Sequence, residues 1–455
     1  MARHQRLQLE IRRQNQQMFD IRQRNHMLLS AFHLASLFAT AVEWTARSTC
    51  HPFNFITASR IHNEVGSDYL EHLGTFLQLA RHHKTEYNSV ALLIASSIIM
   101  DAYPPRMHRE FPSSFQAMAN VLVFPIEHVF NLLYHDVCYK VLALSYNELF
   151  ARHLCGEIER HCIQQFERLN SGFISSSRLH WGTIRRLDKS IHLYRTNTTC
   201  LFCLRRLPEY HLCCGHCVCR ECILTFGVMH PGREDRFKLH CIYDDRGELT
   251  VDLKPKTAGI RAIGIDGGGV RGATSLEFLK ELQKTLLHCP LHEMVDIAGS
   301  TSSGGLIALA KFHLQWTVER CSETFESFAI RCLQRSKSML GVIKSAVKYA
   351  VKDAVYDEAV IDSLMKDTYG SSTVFFGNEP NTIHGTRVAV TAMTHASQRV
   401  IFTNYNGSTS IRREDAGCYL TPRFQDTSYI AIRPKDISKE PLLWEVARAT
   451  SAAPL

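Results

Sequence analysis

Apolar positions in residues 1–195 recur at helical spacing. Leu7, Ile11, Met18 and Ile21 form one stripe on an arginine- and glutamine-rich segment. Apolar stretches follow at 90–100, 121–134 and 139–149, with breakers at Pro104-Pro105 and Pro112-Ser113-Ser114. This region reads as a helical packing or interaction region, with no repeat and no catalytic pattern. The longest apolar run, 28–42, contains His33 and stops at Glu43. It falls short of the about 18 apolar residues that a membrane span needs, so no span is expected.

From Arg261 the pattern changes. Residues 262–266 read as a short apolar strand entering a glycine turn, and 275–287 as a helix. Residues 294–298 read as a second strand entering a turn of small residues, and 305–314 as a second helix. Further strands are expected at 387–391 and 399–403. Strands alternating with helices predict a mostly parallel α/β sheet. Between the two textures, 196–257 is cysteine-rich and loop-like, and Pro255 and Gly259 mark a linker. The reading is a multidomain chain: an α-helical region at 1–195, a cysteine-rich module at 196–257 and an α/β domain at 258–455. A chain of 455 residues accommodates two to four domains.

Composition alters this little. Apolar residues make up 45% and charged residues 21%, which excludes wholesale disorder. The net charge of +8 would suit an anionic surface, but it is spread along the chain, so no nucleic-acid partner is expected. Arg3, Arg6, Arg12 and Arg13 open the chain without an apolar core of a signal peptide. The expected location is cytoplasmic, with contact at a membrane surface. Sixteen cysteines in such a chain call for something other than disulfides.

Eight of those cysteines fall within 200–241: six as Cys200-x2-Cys203, Cys214-x-His216, Cys219-x2-Cys222 and then Cys241-x2-Asp244, with Cys213 and Cys217 beside them. A Cys-x2-Cys pair offers two thiolates on one knuckle at a spacing that tetrahedral zinc accepts. The set resembles a RING finger, including its Cys214-Gly215-His216 core. That resemblance implies alternating pairs. Cys200, Cys203, Cys219 and Cys222 hold one zinc; Cys214, His216, Cys241 and Asp244 hold the other. Asp244 departs from the usual Cys, and Cys213 competes with Cys214. One to two structural Zn2+ ions are expected, with no cofactor for catalysis. A closed ligand set supplies folding energy that so short a module cannot obtain from burial. RING modules often recruit ubiquitin-conjugating enzymes, so protein partners of this module are a second expectation.

Two turns in the α/β domain carry chemistry. The first is Asp266-Gly267-Gly268-Gly269-Val270-Arg271-Gly272, whose glycines let backbone amides approach an anion. Gly267-x-Gly269-x-x-Gly272 formally matches a dinucleotide fingerprint, but the acid expected about 20 residues on has only a poor counterpart. The second turn is Gly299-Ser300-Thr301-Ser302-Ser303-Gly304-Gly305, where a strand passes into a helix. A nucleophile elbow needs small residues two before and two after its serine. Ser302 has Ser300 and Gly304 there, whereas Ser303 has the bulkier Thr301 and Gly305. Amides beside an elbow serine make an oxyanion hole and a nucleophile.

Asp-Gly-Gly-Gly-x-Arg-Gly followed by Thr-Ser-x-Gly-Gly resembles the patatin-like phospholipase family. Stretches 356–370, 388–392, 403–406 and 444–454 agree with it. A RING-like module directly before such a domain resembles the multidomain patatin-like proteins of fungi. The resemblance implies a serine acyl hydrolase of lipid or phospholipid esters, meeting its substrate at a membrane surface and using a Ser–Asp dyad. Ser302 matches the nucleophile, and Gly267, Gly268, Gly269 and Arg271, with Gly272, match the oxyanion loop. Ser300 stands where the family has Gly. The family's catalytic Asp lies in an Asp-Gly-Gly or Asp-Gly-Ala motif after the segment matching 449–454. The Asp-Gly pair present here, Asp266-Gly267, already belongs to the glycine turn. The dyad base is therefore expected to be missing from these residues, through truncation or loss of activity. The alternative reading is a catalytically inactive zinc-containing interaction or ubiquitin-ligase-like scaffold. At 335–355, Lys344, Lys348 and Lys352 share one helix face and Ile343, Val347, Ala350 and Ala354 another. That helix suits an anionic bilayer, or more plainly an ordinary surface.

Overall fold

A computed structural model describes residues 6, 8–17, 31–47, 58, 65, 67–103, 126–170, 174–187, 189–244, 247–254, 258–287, 289–333, 358–377, 385–394, 397–406, 430–434 and 437–452. Leu7, Met18, Ile21, both proline breakers and the lysine-faced helix expected at 335–355 lie outside them. The chain forms two compact units. The first comprises residues 1–194, 199–206 and 242–245; the second comprises 195–198, 207–241 and 246–455. The cysteine-rich segment is thus divided between them.

The first unit is helical. After α1 (Ala31–Ala46) come α2 (Ser67–His82), α3 (Tyr87–Ala102) and the short α4 (Ile126–Val129), which runs through a π-helical turn at Phe130–Tyr134 into α5 (His135–Ser145). Then follow α6 (Glu148–Asn170) and α7 (Ser176–Ile184). Helix α3 is apolar nearly all round and buries Val90, Ala91, Leu93, Ile94, Ala95, Ile98 and Ile99, so it takes the central position. The apolar stretch at 139–149 is split between α5 and α6. Asn147 accepts the Phe150 N–H at 2.8 Å through its side chain and starts a new helix there. Inside this unit His180 lies 2.7 Å from Ser96 Oγ and 2.8 Å from the Phe202 carbonyl, which fastens the Cys200–Cys203 turn to α3 and α7. Asp101 pairs with Arg205 in the same place.

The second unit holds the sheets. A small antiparallel pair joins β1 (Tyr210–His211) to β2 (Cys217–Val218), and α8 (Arg220–Phe226) follows. Strands β3 (Val228–His230), β4 (Arg233–His240) and β5 (Glu248–Asp252) form an antiparallel meander. The main sheet contains β6 (Ala262–Ile265), β7 (Ile297–Thr301), β8 (Arg387–Met393), β9 (Arg399–Thr403) and β10 (Ile430–Ile432), in the order β10-β9-β8-β7-β6. Pairs β6–β7, β7–β8 and β9–β10 are parallel, and β8–β9 is antiparallel. This matches the expected mostly parallel α/β sheet. Helices α9 (Gly272–Thr285), α10 (Ser302–Ala308), α11 (Val318–Leu333), α12 (Glu358–Tyr369) and α13 (Leu443–Ser451) accompany it. Ile265, Leu276, Ala298, Ile307, Phe312, Val388, Val390 and Val446 share its core.

Two boundaries differ from the periodicity. The strand expected at 294–298 begins at Ile297, because residues Leu291–Met294 form a 3-10 turn after Pro290. Asp296 then accepts the Arg261 N–H at 2.6 Å and sets where β7 meets β6. The helix expected at 305–314 begins at Ser302 and gives way to a π-helical turn at Leu309–His313.

Candidate functional site

The tight turn between β7 and α10 is centred on Ser302, whose φ is +52°. A non-glycine residue there sits in the left-handed region, which costs on the order of 1–3 kcal/mol and persists only where surroundings enforce it. The surroundings here are close. A Cβ on Gly304 would lie 2.2 Å from the Ile265 carbonyl oxygen and 2.6 Å from that of Asp266. A Cβ on Gly305 would lie 2.7 Å from Thr450 Cγ2. The small residues after the serine therefore serve to let β6 and α13 approach α10.

The turn separates the two serines. Ser302 is half-buried, whereas Ser303 is buried inside α10 and its Oγ has no hydrogen-bond partner. Ser300, two residues before, is buried and donates its hydroxyl to the Ala389 carbonyl at 3.4 Å. A serine is thus accommodated at that position by turning its hydroxyl toward β8.

The glycine turn leaves β6 beside this elbow. A Cβ on Gly267 would sit 2.8 Å from Ser302 Cβ, so the two turns are in direct apposition. Gly269 has a φ of +60° and needs no side chain. Gly267, Gly268, Gly269 and Arg271 are exposed. Among the described residues, no partner bonds the amides of the three glycines. Gly272 lies against the Phe325 ring of α11, where a Cβ would come within 2.6 Å. The sequence-predicted loop and elbow are therefore brought together.

A carboxylate is not. Among the described residues none hydrogen-bonds Ser302. Asp362 instead accepts from Arg448 Nε at 3.1 Å, and Asp367 is exposed. Sequence reasoning also missed Thr450: the Ser302 N–H donates to its Oγ1 at 2.8 Å. No motif marks a threonine so far along the chain as a neighbour of the elbow.

The cysteines fall as follows. Cys200 and Cys203 are buried in the first unit, where the Cys203 and Leu204 N–H groups donate to the Cys200 carbonyl at 3.2 and 2.8 Å. Cys219 and Cys222 are buried in the second unit at the start of α8, with the Cys222 and Ile223 N–H groups donating to the Cys219 carbonyl at 3.1 Å. Cys214, His216 and Cys241 form a group whose ligand atoms all lie within 4.8 Å of one another. His216 Nδ1 is 3.3 Å from Cys214 Sγ and 3.5 Å from Cys241 Sγ. A tetrahedral zinc with Zn–S of about 2.3 Å and Zn–N of about 2.0 Å has edges of about 3.5 Å, so the three atoms fit such an ion. Hydrogen bonds from Cys241 and His216 pull the Cys214 thiol down to about 4. Asp244, expected as a ligand here, belongs to the first unit and is not in this group; Cys213 is exposed. Two partners were not foreseen. A Cβ on Gly247 would lie 2.3 Å from Cys214 Sγ, and Arg195 lies 2.7 Å from His216 Nε2 while donating to the Cys214 carbonyl at 3.1 Å.

Among the described residues no helix is long and apolar enough to cross a membrane. Residues 264–455 match the patatin-like phospholipase family model. A stretch of 119 residues is 31% identical to calcium-independent phospholipase A2-gamma of Homo sapiens, covering 26% of this chain and 14% of that protein. Over 239 residues, 51% of this chain, identity to the protein of the same name from Oryctolagus cuniculus is 24%, covering 26% of it. Phospholipase A I of Arabidopsis thaliana is 36% identical over 69 residues, 15% of this chain and 5% of that protein. The chain thus spans about a quarter or less of the length of these relatives.

Proposed function

We propose, from the premise that residues 264–455 are a patatin-like phospholipase domain, that this domain is a serine acyl hydrolase of lipid or phospholipid esters. The observation that carries the reading is the strained Ser302 held against a glycine turn whose amides have no partner among the described residues. In this reading Ser302 Oγ attacks the ester carbonyl and gives up its proton to a carboxylate base. The amides of Gly267, Gly268 and Gly269 receive the negative charge that develops on the carbonyl oxygen. The alcohol leaves with a proton, and water then releases the acyl group from Ser302. The described aspartates do not supply that base.

The cysteines in this reading are structural. Cys214, His216 and Cys241 hold one zinc, and the Cys200–Cys203 and Cys219–Cys222 knuckles, each within its own unit, offer further thiolates. The ion would supply folding energy to a small segment. That no carboxylate among the described residues bonds Ser302 favours the second reading, a zinc-holding interaction scaffold, possessing an elbow but no turnover.

A fluorophosphonate probe and a short-chain ester assay separate the two. Hydrolysis that is lost in Ser302→Ala, with the probe on Ser302 and not Ser303, supports the hydrolase. An unlabelled, inactive protein that still holds its metal supports the scaffold.

A further inference from the structure

We infer that Thr450 is the positioning residue of the elbow: its hydroxyl holds the Ser302 backbone in place and withdraws that amide from the oxyanion site. The inference rests on the hydrolase reading for its chemistry but not for its geometry.

Ser302 adopts a φ of +52°, a conformation that a serine does not keep unaided. Its N–H donates to Thr450 Oγ1 at 2.8 Å, and Thr450 Oγ1 donates in turn to the Thr391 carbonyl at 2.8 Å. The hydroxyl therefore uses its one proton on β8 and a lone pair on the elbow. Thr450 is buried, and the missing Cβ of Gly305 makes its seat: a side chain there would lie 2.8 Å from Thr450 Oγ1. Branching at Cβ restricts the Thr450 rotamer further.

The helix that carries Thr450 is itself fixed. At the start of α13 the Leu442 N–H donates to Glu445 Oε2 at 2.8 Å. Val446 and Ala447 are fully buried, and Arg448 reaches Asp362 on α12. The hydroxyl is thus delivered by a rigid element. Since the Ser302 amide is already spent on it, stabilisation of a developing oxyanion falls to other amides, of which those of Gly267, Gly268 and Gly269 stand beside the serine.

Thr450→Val keeps the shape and removes the hydroxyl, Thr450→Ser keeps the hydroxyl, and Thr450→Ala removes both. The first readout is hydrogen–deuterium exchange of the Ser302 amide. It should speed at least tenfold in Thr450→Val and stay near wild type in Thr450→Ser. If Thr450→Val does not fold, the Ser and Ala pair decides the same question. The second readout is the rate of fluorophosphonate labelling at Ser302, which should fall by up to about 10²-fold in Thr450→Val and be rescued in Thr450→Ser. Unchanged exchange in Thr450→Val, or in Thr450→Ala should Val not fold, overturns the inference, whatever labelling does. Faster exchange in a protein that is never labelled, wild type included, supports the positioning role and counts against the hydrolase.

Discussion

At the residue scale, Gly304 sets two effects against each other. Replacing a helical glycine by alanine normally stabilises by up to about 1 kcal/mol. Here the new Cβ would meet backbone oxygen at 2.2 Å, and backbone cannot swing aside as a flexible side chain could. Overpacking of this kind costs about 1–3 kcal/mol, so the clash wins. Gly304→Ala should lower the thermal midpoint and slow labelling of Ser302; a raised midpoint would show that β6 is free to move away. The elbow serine raises a related expectation. A positioned general base contributes about 10²–10⁴-fold, and the described aspartates place none on Ser302. Ester turnover by residues 1–455 should therefore be weak. Turnover that is lost in Ser302→Ala and falls as a carboxylate is protonated would put the base inside 1–455.

At the element scale, each unit encloses histidines of its own, His180 in the first and His211 and His313 in the second. Burial pushes His180 down to about 4, His211 to about 4 and His313 to about 3. The unfolded chain takes up these protons near the ordinary histidine value of about 6.5. Above that value both states are neutral and stability is fully present. As pH falls through 6.5 the unfolded state binds protons first, so stability is lost progressively down to about 4. Urea unfolding followed at pH 7 and pH 5 should show a lower midpoint at pH 5. His180→Gln should flatten the part due to the first unit; an unaltered slope would mean that His180 is already charged in the fold.

On the scale of the whole molecule, the cysteine-rich strands and the main sheet belong to one unit. Asn406 donates to the Asn197 and Pro208 carbonyls at 2.8 and 2.6 Å, Asn197 donates to Glu440 at 3.0 Å, and Arg387 pairs with Glu209 at 3.0 Å. Glu440 also pairs with Arg433, and both side chains are nearly buried. On the proposed zinc reading, loss of metal from Cys214, His216 and Cys241 should thus lower the unfolding temperature of the α/β sheet as well. Elemental analysis should find one to two zinc ions per chain, and Cys200→Ser with Cys203→Ser should remove at least one. Protein purified without chelator and free of zinc would refute the metal reading.

The sequence alone determined what depends on neighbours along the chain. A strand into glycines, a strand into small residues and the Cys-x2-Cys knuckles are local patterns, because backbone turns and paired ligands are set over a few residues. The strands at 262–266, 387–391 and 399–403 were legible from apolar runs for the same reason. Boundaries decided by a single polar contact were not, as at Asn147, whose side chain caps the start of α6, and at Asp296, which sets where β7 meets β6. The choice of Ser302 over Ser303 was legible too, from the small residues two before and two after it. Tertiary structure alone decided that Ser303 is buried, since that depends on the seating of α10 on the sheet. It alone divided the cysteine-rich segment between two units and left Asp244 out of the Cys214–His216–Cys241 group. It alone brought Thr450 to an amide 148 residues earlier. Such contacts arise from packing two elements distant in sequence, and no local pattern of polar and apolar residues encodes which side chain will meet which.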